Sequence, residues 1–159
     1  MRVEISIPDQ ALRLFDGAGA LVQVSPVSTS VNGAGEQSGS FCTPRGRHVV
    51  RARIGDGQPL NSVFVRRRPT GEIYTPDLAR QYPGRDWILT RILWLSGCEC
   101  GVNRLGEVDT MRRYIYIHGT PDEVALGAPG SHGCVRMHNA DLLALFERVA
   151  AGTTVEISG

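Results

Sequence analysis

The sequence predicts a mainly β protein, a β-sandwich or barrel-like mixed sheet with one helix of the C-terminal half packed on it. Three observations carry this. Short stretches of alternating or β-branched residues recur along the chain, with turns rich in Gly and Pro between them. Convincing helical periodicity is confined to residues 139–149. No internal repeat, low-complexity segment or linker breaks the pattern, so the 159 residues are expected to form one domain, 1–159.

In chain order, Arg2 to Pro8 alternates Val3, Ile5 and Ile7 against Arg2, Glu4 and Ser6, and Ala11 to Phe15 repeats the pattern, which predicts an antiparallel hairpin followed by a turn at Asp16-Gly17-Ala18-Gly19. Leu21 to Val27 is the next strand. Gly33 to Ser40, glycine-rich and small, is a loop with nothing to bury, and Thr43-Pro44-Arg45-Gly46 turns the chain into a strand from His48 to Ile54. Asp56 to Pro59 is a turn. Ser62 to Arg68 carries a brief Val63, Val65 alternation into Arg66-Arg67-Arg68, which reads as a solvated face or as guanidinium groups for carboxylate partners. Thr75 to Gly84, with Pro76 and Pro83, is a surface excursion over the cleft. Trp87 to Leu95 is strand-compatible, with its aromatics assigned to the core rather than to stacking platforms.

The run from Tyr114 to Ile117 is aromatic and β-branched and stops at His118-Gly119, which puts His118 at a strand end. A loop holding Pro121, Gly127, Pro129 and Gly130 returns the chain to Ser131-His132-Gly133-Cys134, where alternation would place His132 and Cys134 on one side of an extended segment. Asn139 suits a helix N-cap and Asp141 the positive helix end. Leu142, Leu145, Phe146 and Val149 share a face, Gly152 follows the last turn, and Thr153 to Ile157 supplies a closing strand.

Composition excludes some functions. With 17 basic against 16 acidic residues, no general attraction to nucleic acid is expected. The first residues carry no apolar leader core, and no apolar run approaches about 20 residues, so no membrane span is expected. That reading makes the chain as it stands cytoplasmic, and periplasmic if an export sequence was removed. Cys42, Cys98, Cys100 and Cys134 could form bridges, but unpaired thiols in a reducing compartment are simpler, and the first three are expected to act as small buried apolar residues. Nothing in the sequence sets an oligomeric state.

Cys134 and His118 are the candidate chemistry. A thiol with a pKa of about 8.5 is only a few per cent thiolate at pH 7, and a histidine within hydrogen-bond reach can take its proton. Gly133 has no Cβ, so backbone and substrate can approach closely beside the sulfur, and N–H groups near Gly133 and Cys134 could face an oxyanion. His48 and His138 are expected to be structural or exposed. Zinc held by His118, His132, Cys134 and His138 is the competing reading, but no helix-borne two-histidine motif with a carboxylate accompanies them. The expectation is no metal and no cofactor.

His118-Gly119-Thr120 together with Ser131-His132-Gly133-Cys134-Val135-Arg136-Met137 resembles the signature of the L,D-transpeptidase catalytic domain, the YkuD-type family. Pro26 to Ser30, Gly39 to Gly46 and Arg113 to Ile117 fit the same family, so the similarity runs from about Val3 to Ile157. The resemblance implies the family's sheet architecture and a cysteine, Cys134, that attacks the bond between the L-centre of diaminopimelate and the terminal D-Ala of a peptidoglycan stem tetrapeptide. It implies His118 as base, oriented by the backbone carbonyl of Gly119, and an oxyanion hole in the His132 to Cys134 segment. Arg136 would line the substrate cleft, with Ser131 and Thr120 beside it.

Three functions follow from the resemblance. The first is an L,D-carboxypeptidase that passes the acyl group to water in muropeptide recycling, favoured by the missing leader. The second is an L,D-transpeptidase that passes it to an amine. The third is a non-catalytic peptidoglycan-binding module, against which the Cys134 and His118 pair argues.

Overall fold

The computed structural model describes residues 1–159. Ten strands join in one sheet: β1 (Arg2–Ser6), β2 (Ala11–Phe15), β3 (Leu21–Ser28), β4 (Gly46–Ile54), β5 (Ser62–Val65), β6 (Arg68–Ile73), β7 (Ile88–Gly97), β8 (Tyr116–Gly119), β9 (Val135–Met137) and β10 (Thr154–Ser158). Two helices accompany them, α1 (Pro76–Gln81) and α2 (Asn139–Arg148). The order β4-β10-β1-β2-β3-β9-β8-β7 closes on itself through a β4–β7 pairing, and the β5–β6 hairpin extends from β7. The mainly β, barrel-like mixed sheet expected from the sequence is the fold observed.

The alternation explains the walls. Val3 and Ile5 face Leu14 and Leu12 across the β1–β2 hairpin, and Val155 and Ile157 lie beside them because β10 pairs parallel with β1. These side chains are buried and join Leu142, Leu145 and Phe146 of α2 in an 18-residue core. An isolated helix of this length is marginal in water, so burying that apolar face, roughly 1.5–3 kcal/mol per large side chain, is what holds α2 in place. No helix is long and apolar enough to cross a membrane.

Strand β7 serves two partners on one edge, β5 through Ile88 and Leu89 and β4 through Ile92 to Gly97. Between them Thr90 sits at φ 75°, a conformation that a β-branched residue rarely adopts, and the β7–β8 register shifts there.

Several boundaries differ from expectation. The excursion from Thr75 to Gly84 contains α1, whose first turn is capped by Thr75 Oγ1 accepting from Leu78 N–H at 3.1 Å. Six residues with none buried leave no apolar stripe to read. Helix α2 is capped by His138 without a side-chain bond; Asn139 is its first residue, and its amide is used elsewhere. Strand β8 starts at Tyr116, because Tyr114 is left-handed (φ 57°) and closes a 3-10 turn over Met111–Arg113.

His48 is fully buried, with Nδ1 3.0 Å from Gly46 O and Nε2 3.0 Å from Thr110 Oγ1. Burial pushes its pKa down from 6.5 to about 4, so the folded protein holds it neutral where the unfolded chain would protonate it. The stability this contributes is complete above pH 6.5 and is lost as pH falls toward 4, about 3 kcal/mol over that window. Urea unfolding at pH 7.5, 5.5 and 4.5 should show this loss in the wild type and a shallower one in His48→Gln; parallel pH dependences would reject it.

Candidate active site

The parallel β8–β9 ladder pairs Ile117 with Val135 and His118 with Arg136. Ile117, Val135 and Met137 enter the main core, so by alternation Tyr116, His118 and Arg136 face the opposite side. Cys134 immediately precedes β9 and packs on that side against the cluster of Phe64, Ile92 and Tyr116. Both candidate catalytic side chains are therefore presented on the face away from α2.

His118 is 1% exposed, and its Nδ1 lies 2.7 Å from Gly119 O. A carbonyl can only accept, so Nδ1 carries the proton and Nε2 is left as a lone pair. Burial chiefly lowers the His118 pKa; the Gly119 carbonyl and then the Asp86 charge oppose this, while Arg136 adds to it. The Cys134 sulfur accepts from Tyr116 N–H at 3.3 Å and donates to Tyr114 O at 3.4 Å. Its pKa is pushed up to about 12, mainly by burial, against which the Tyr116 N–H and the Arg136 and Arg113 charges act. The resting pair is thus a neutral thiol and a neutral imidazole, with the thiol bonded to backbone rather than to the ring.

Ser131 to Cys134 is a bend, not the extended segment alternation suggested; Gly133 adopts φ 133°, and a Cβ there would meet Ile115 Cδ1 at 3.2 Å and Cys42 O at 3.3 Å. Ser131 Oγ donates to Cys134 O at 2.5 Å and accepts the Gly133 N–H at 3.3 Å. Thr43 Oγ1 donates to Gly133 O at 3.0 Å. These bonds fix the elbow and engage the Gly133 N–H. The His132 and Cys134 N–H groups have no acceptor within the protein. His132, exposed, lines a cleft of about 200 Å³ with Phe41, Arg112 and Ile115.

Gly119 and Thr120 are held from below. Asn139 Nδ2 donates to Thr120 O and to Asn61 Oδ1, each at 3.0 Å, and Thr90 Oγ1 donates to Asn139 Oδ1 at 2.7 Å. The strained Thr90 is thus tied through Asn139 to the Thr120 carbonyl, one residue beyond the carbonyl bonded to His118. Thr120 and Arg136 line a second cavity of about 90 Å³ with Asp86, Trp87 and Val124. Arg136 donates to Gly130 O at 2.9 Å and pairs with Asp86 at 3.4 Å. No group of three or more His, Cys, Asp or Glu side chains is arranged to hold a metal ion.

The sequence matches the family model described as the L,D-transpeptidase catalytic domain (YkuD) over residues 1–157. The chain belongs to the L,D-transpeptidase family. It is 48% identical over 123 residues to the Escherichia coli K12 protein named "Probable L,D-transpeptidase YbiS", a match covering 71% of this chain and 39% of that protein. The chain spans less than half the length of the curated relatives it matches first. Its fold is similar to an L,D-transpeptidase from Mycobacterium smegmatis (TM-score 0.56, 17% identity, 99% of this chain and 58% of that one). It is also similar to L,D-transpeptidase 3 from Mycobacterium tuberculosis in complex with a faropenem-derived adduct (TM-score 0.59, 16% identity, 99% and 59%).

In this L,D-transpeptidase-family chain the structure gathers His118, Gly119, Thr120, Ser131, Gly133, Cys134 and Arg136 around one elbow, with His132 on the rim. Sequence reasoning missed Asn139, Thr90 and Thr43, which act only through contacts distant in the chain. Trp94 packs against a small core cluster as expected but is only half-buried and also stacks with a cation, and within the basic run Arg66 and Arg68 are exposed while Arg67 donates to Tyr116 Oη at 3.0 Å. Tyr116 was the available signal, being a polar-tipped aromatic two residues before His118.

Proposed function

We propose that the protein is a cysteine acyltransferase of peptidoglycan stem peptides, with Cys134 as nucleophile, His118 as base and an amine as the preferred acceptor. The observation that carries this is the His118 tautomer: Nδ1 committed to Gly119 O, Nε2 free, on the sheet face that also presents Cys134. A substrate that displaces the thiol from Tyr114 O leaves Nε2 to take its proton as sulfur attacks the carbonyl at the L-centre of diaminopimelate. The oxyanion meets the Cys134 N–H. On collapse His118 returns the proton to the departing amine, D-Ala leaves, and a thioester remains. An acceptor amine then gives a proton to His118 and attacks, and sulfur leaves and recovers that proton.

Because the chain spans only part of its relatives, its first residues favour neither acceptor, and the relatives' names support an amine. Water is the second reading, because Cys134 is half-buried rather than sealed and water can reach a thioester there. Incubation with a stem tetrapeptide, with and without excess amine acceptor, tests the proposal. D-Ala release with a joined peptide product supports transfer, tripeptide alone supports hydrolysis, and an unchanged tetrapeptide rejects both.

A further inference from the structure

Arginines line the two cavities near the candidate site, and most are already engaged. Arg113 donates to Gly35 O, Glu36 O and Cys42 O, Arg85 pairs with Glu72, and Arg136 is held by Gly130 O and Asp86. Arg112 is exposed and its side chain makes no hydrogen bond. Arg67 differs from all of them. Its guanidinium lies 4.8 Å from the Trp94 ring centroid and 4.9 Å from that of Tyr114, and it donates from Nη1 to Tyr116 Oη at 3.0 Å. It has no carboxylate partner, and that single bond leaves four N–H donors free. A fixed cation with open donors is prepared for an anion, because little side-chain entropy remains to be lost when one binds.

The backbone points the same way. Val65 pairs with Arg68, so Arg66 and Arg67 are the two loop residues of the β5–β6 hairpin, at φ 50° and 66°. A turn of this kind favours Asn-Gly, and an arginine at either position is strained by its Cβ. The aromatic contacts of Arg67 offset that strain. Tyr116 links this cation to the chemistry, since its N–H touches the Cys134 sulfur at 3.3 Å and its hydroxyl holds Arg67.

We infer that Arg67 binds the free carboxylate of the donor peptide's terminal D-residue. This rests on the stem-peptide reading above. That carboxylate is the anion nearest the reacting carbonyl, one residue and about 3.8 Å of Cα spacing away. A longer or amidated stem would set a neutral amide against Arg67.

The test compares a stem tetrapeptide with its C-terminal amide, in turnover and in binding to a Cys134→Ala background. The wild type should favour the free acid about ten- to a hundredfold in kcat/KM, as expected for a charged hydrogen bond. Arg67→Gln should remove that preference through KM, leaving kcat and the amide's constants nearly unchanged, and Arg67→Lys should restore part of it. In the Cys134→Ala background, Arg67→Gln should weaken the acid alone, by the same factor. Equal losses on both peptides, or a wild type that does not distinguish them, would overturn the assignment. The binding arm decides it even where no D-Ala is released, an outcome that would instead reject the acyltransferase reading.

Discussion

Cys134→Ala is expected to give a folded protein that forms no acyl-enzyme and loses turnover by on the order of 10⁴ or more, the scale on which removing a covalent nucleophile acts. Intact-protein mass after mixing with stem tetrapeptide should show an acyl adduct on the wild type and none on the variant. The side chain lost is small and half-buried, so stability should change by no more than about 1 kcal/mol, which separates chemical from structural failure. The wild-type sulfur has its own signature. With the Cys134 pKa pushed up to about 12, thiolate increases about tenfold per pH unit below that value. Iodoacetamide labelling of the Cys134 peptide should therefore climb from pH 7 to 10 without a plateau. An inflection below pH 7 would mean a resting thiolate–imidazolium pair and would contradict the neutral pair described above.

Gly119→Ala should produce the largest combined loss of stability and activity. A Cβ there would fall 2.1 Å from Asn139 Oδ1 and 2.5 Å from Leu89 O, distances that no packed pair tolerates. Leu89 O is backbone in β7, and Asn139 cannot turn aside without giving up Thr90 Oγ1 and Thr120 O. Overpacking combined with a broken buried polar network predicts a loss of about 3 kcal/mol, roughly 6–12 °C in Tm for a chain of this size. Any protein that still folds should turn over about a hundredfold more slowly, because the carbonyl that orients His118 has moved. Gly17→Ala, which meets nothing within 4 Å, should stay within about 0.5 kcal/mol of wild type. Comparable melting temperatures for the two variants would refute the packing account.

The residues themselves disclosed the strands and the candidate pair, Cys134 and His118. Alternation at Val3, Ile5, Leu12 and Leu14 specifies which side of a hairpin is buried, because side chains on a strand point to opposite faces in turn. Thiol beside glycine and histidine beside glycine are chemical statements that survive without coordinates. Boundaries were less legible where no periodic burial marks them: α1 buries nothing, and the left-handed Tyr114 breaks an apolar run that composition makes continuous.

By itself, the sequence determined the mainly β class, the helix near residue 139 and the candidacy of Cys134 and His118, since each depends on side-chain type and local spacing. Only the tertiary structure decided that β10 lies parallel to β1, that β7 divides its edge between β4 and β5, that Thr90 bonds to Asn139, and that Arg67 bonds to the Tyr116 hydroxyl. Those facts arise from hydrogen bonds and ring contacts between residues tens of positions apart, and local patterning carries no record of which distant group will satisfy a buried amide or an unpaired guanidinium.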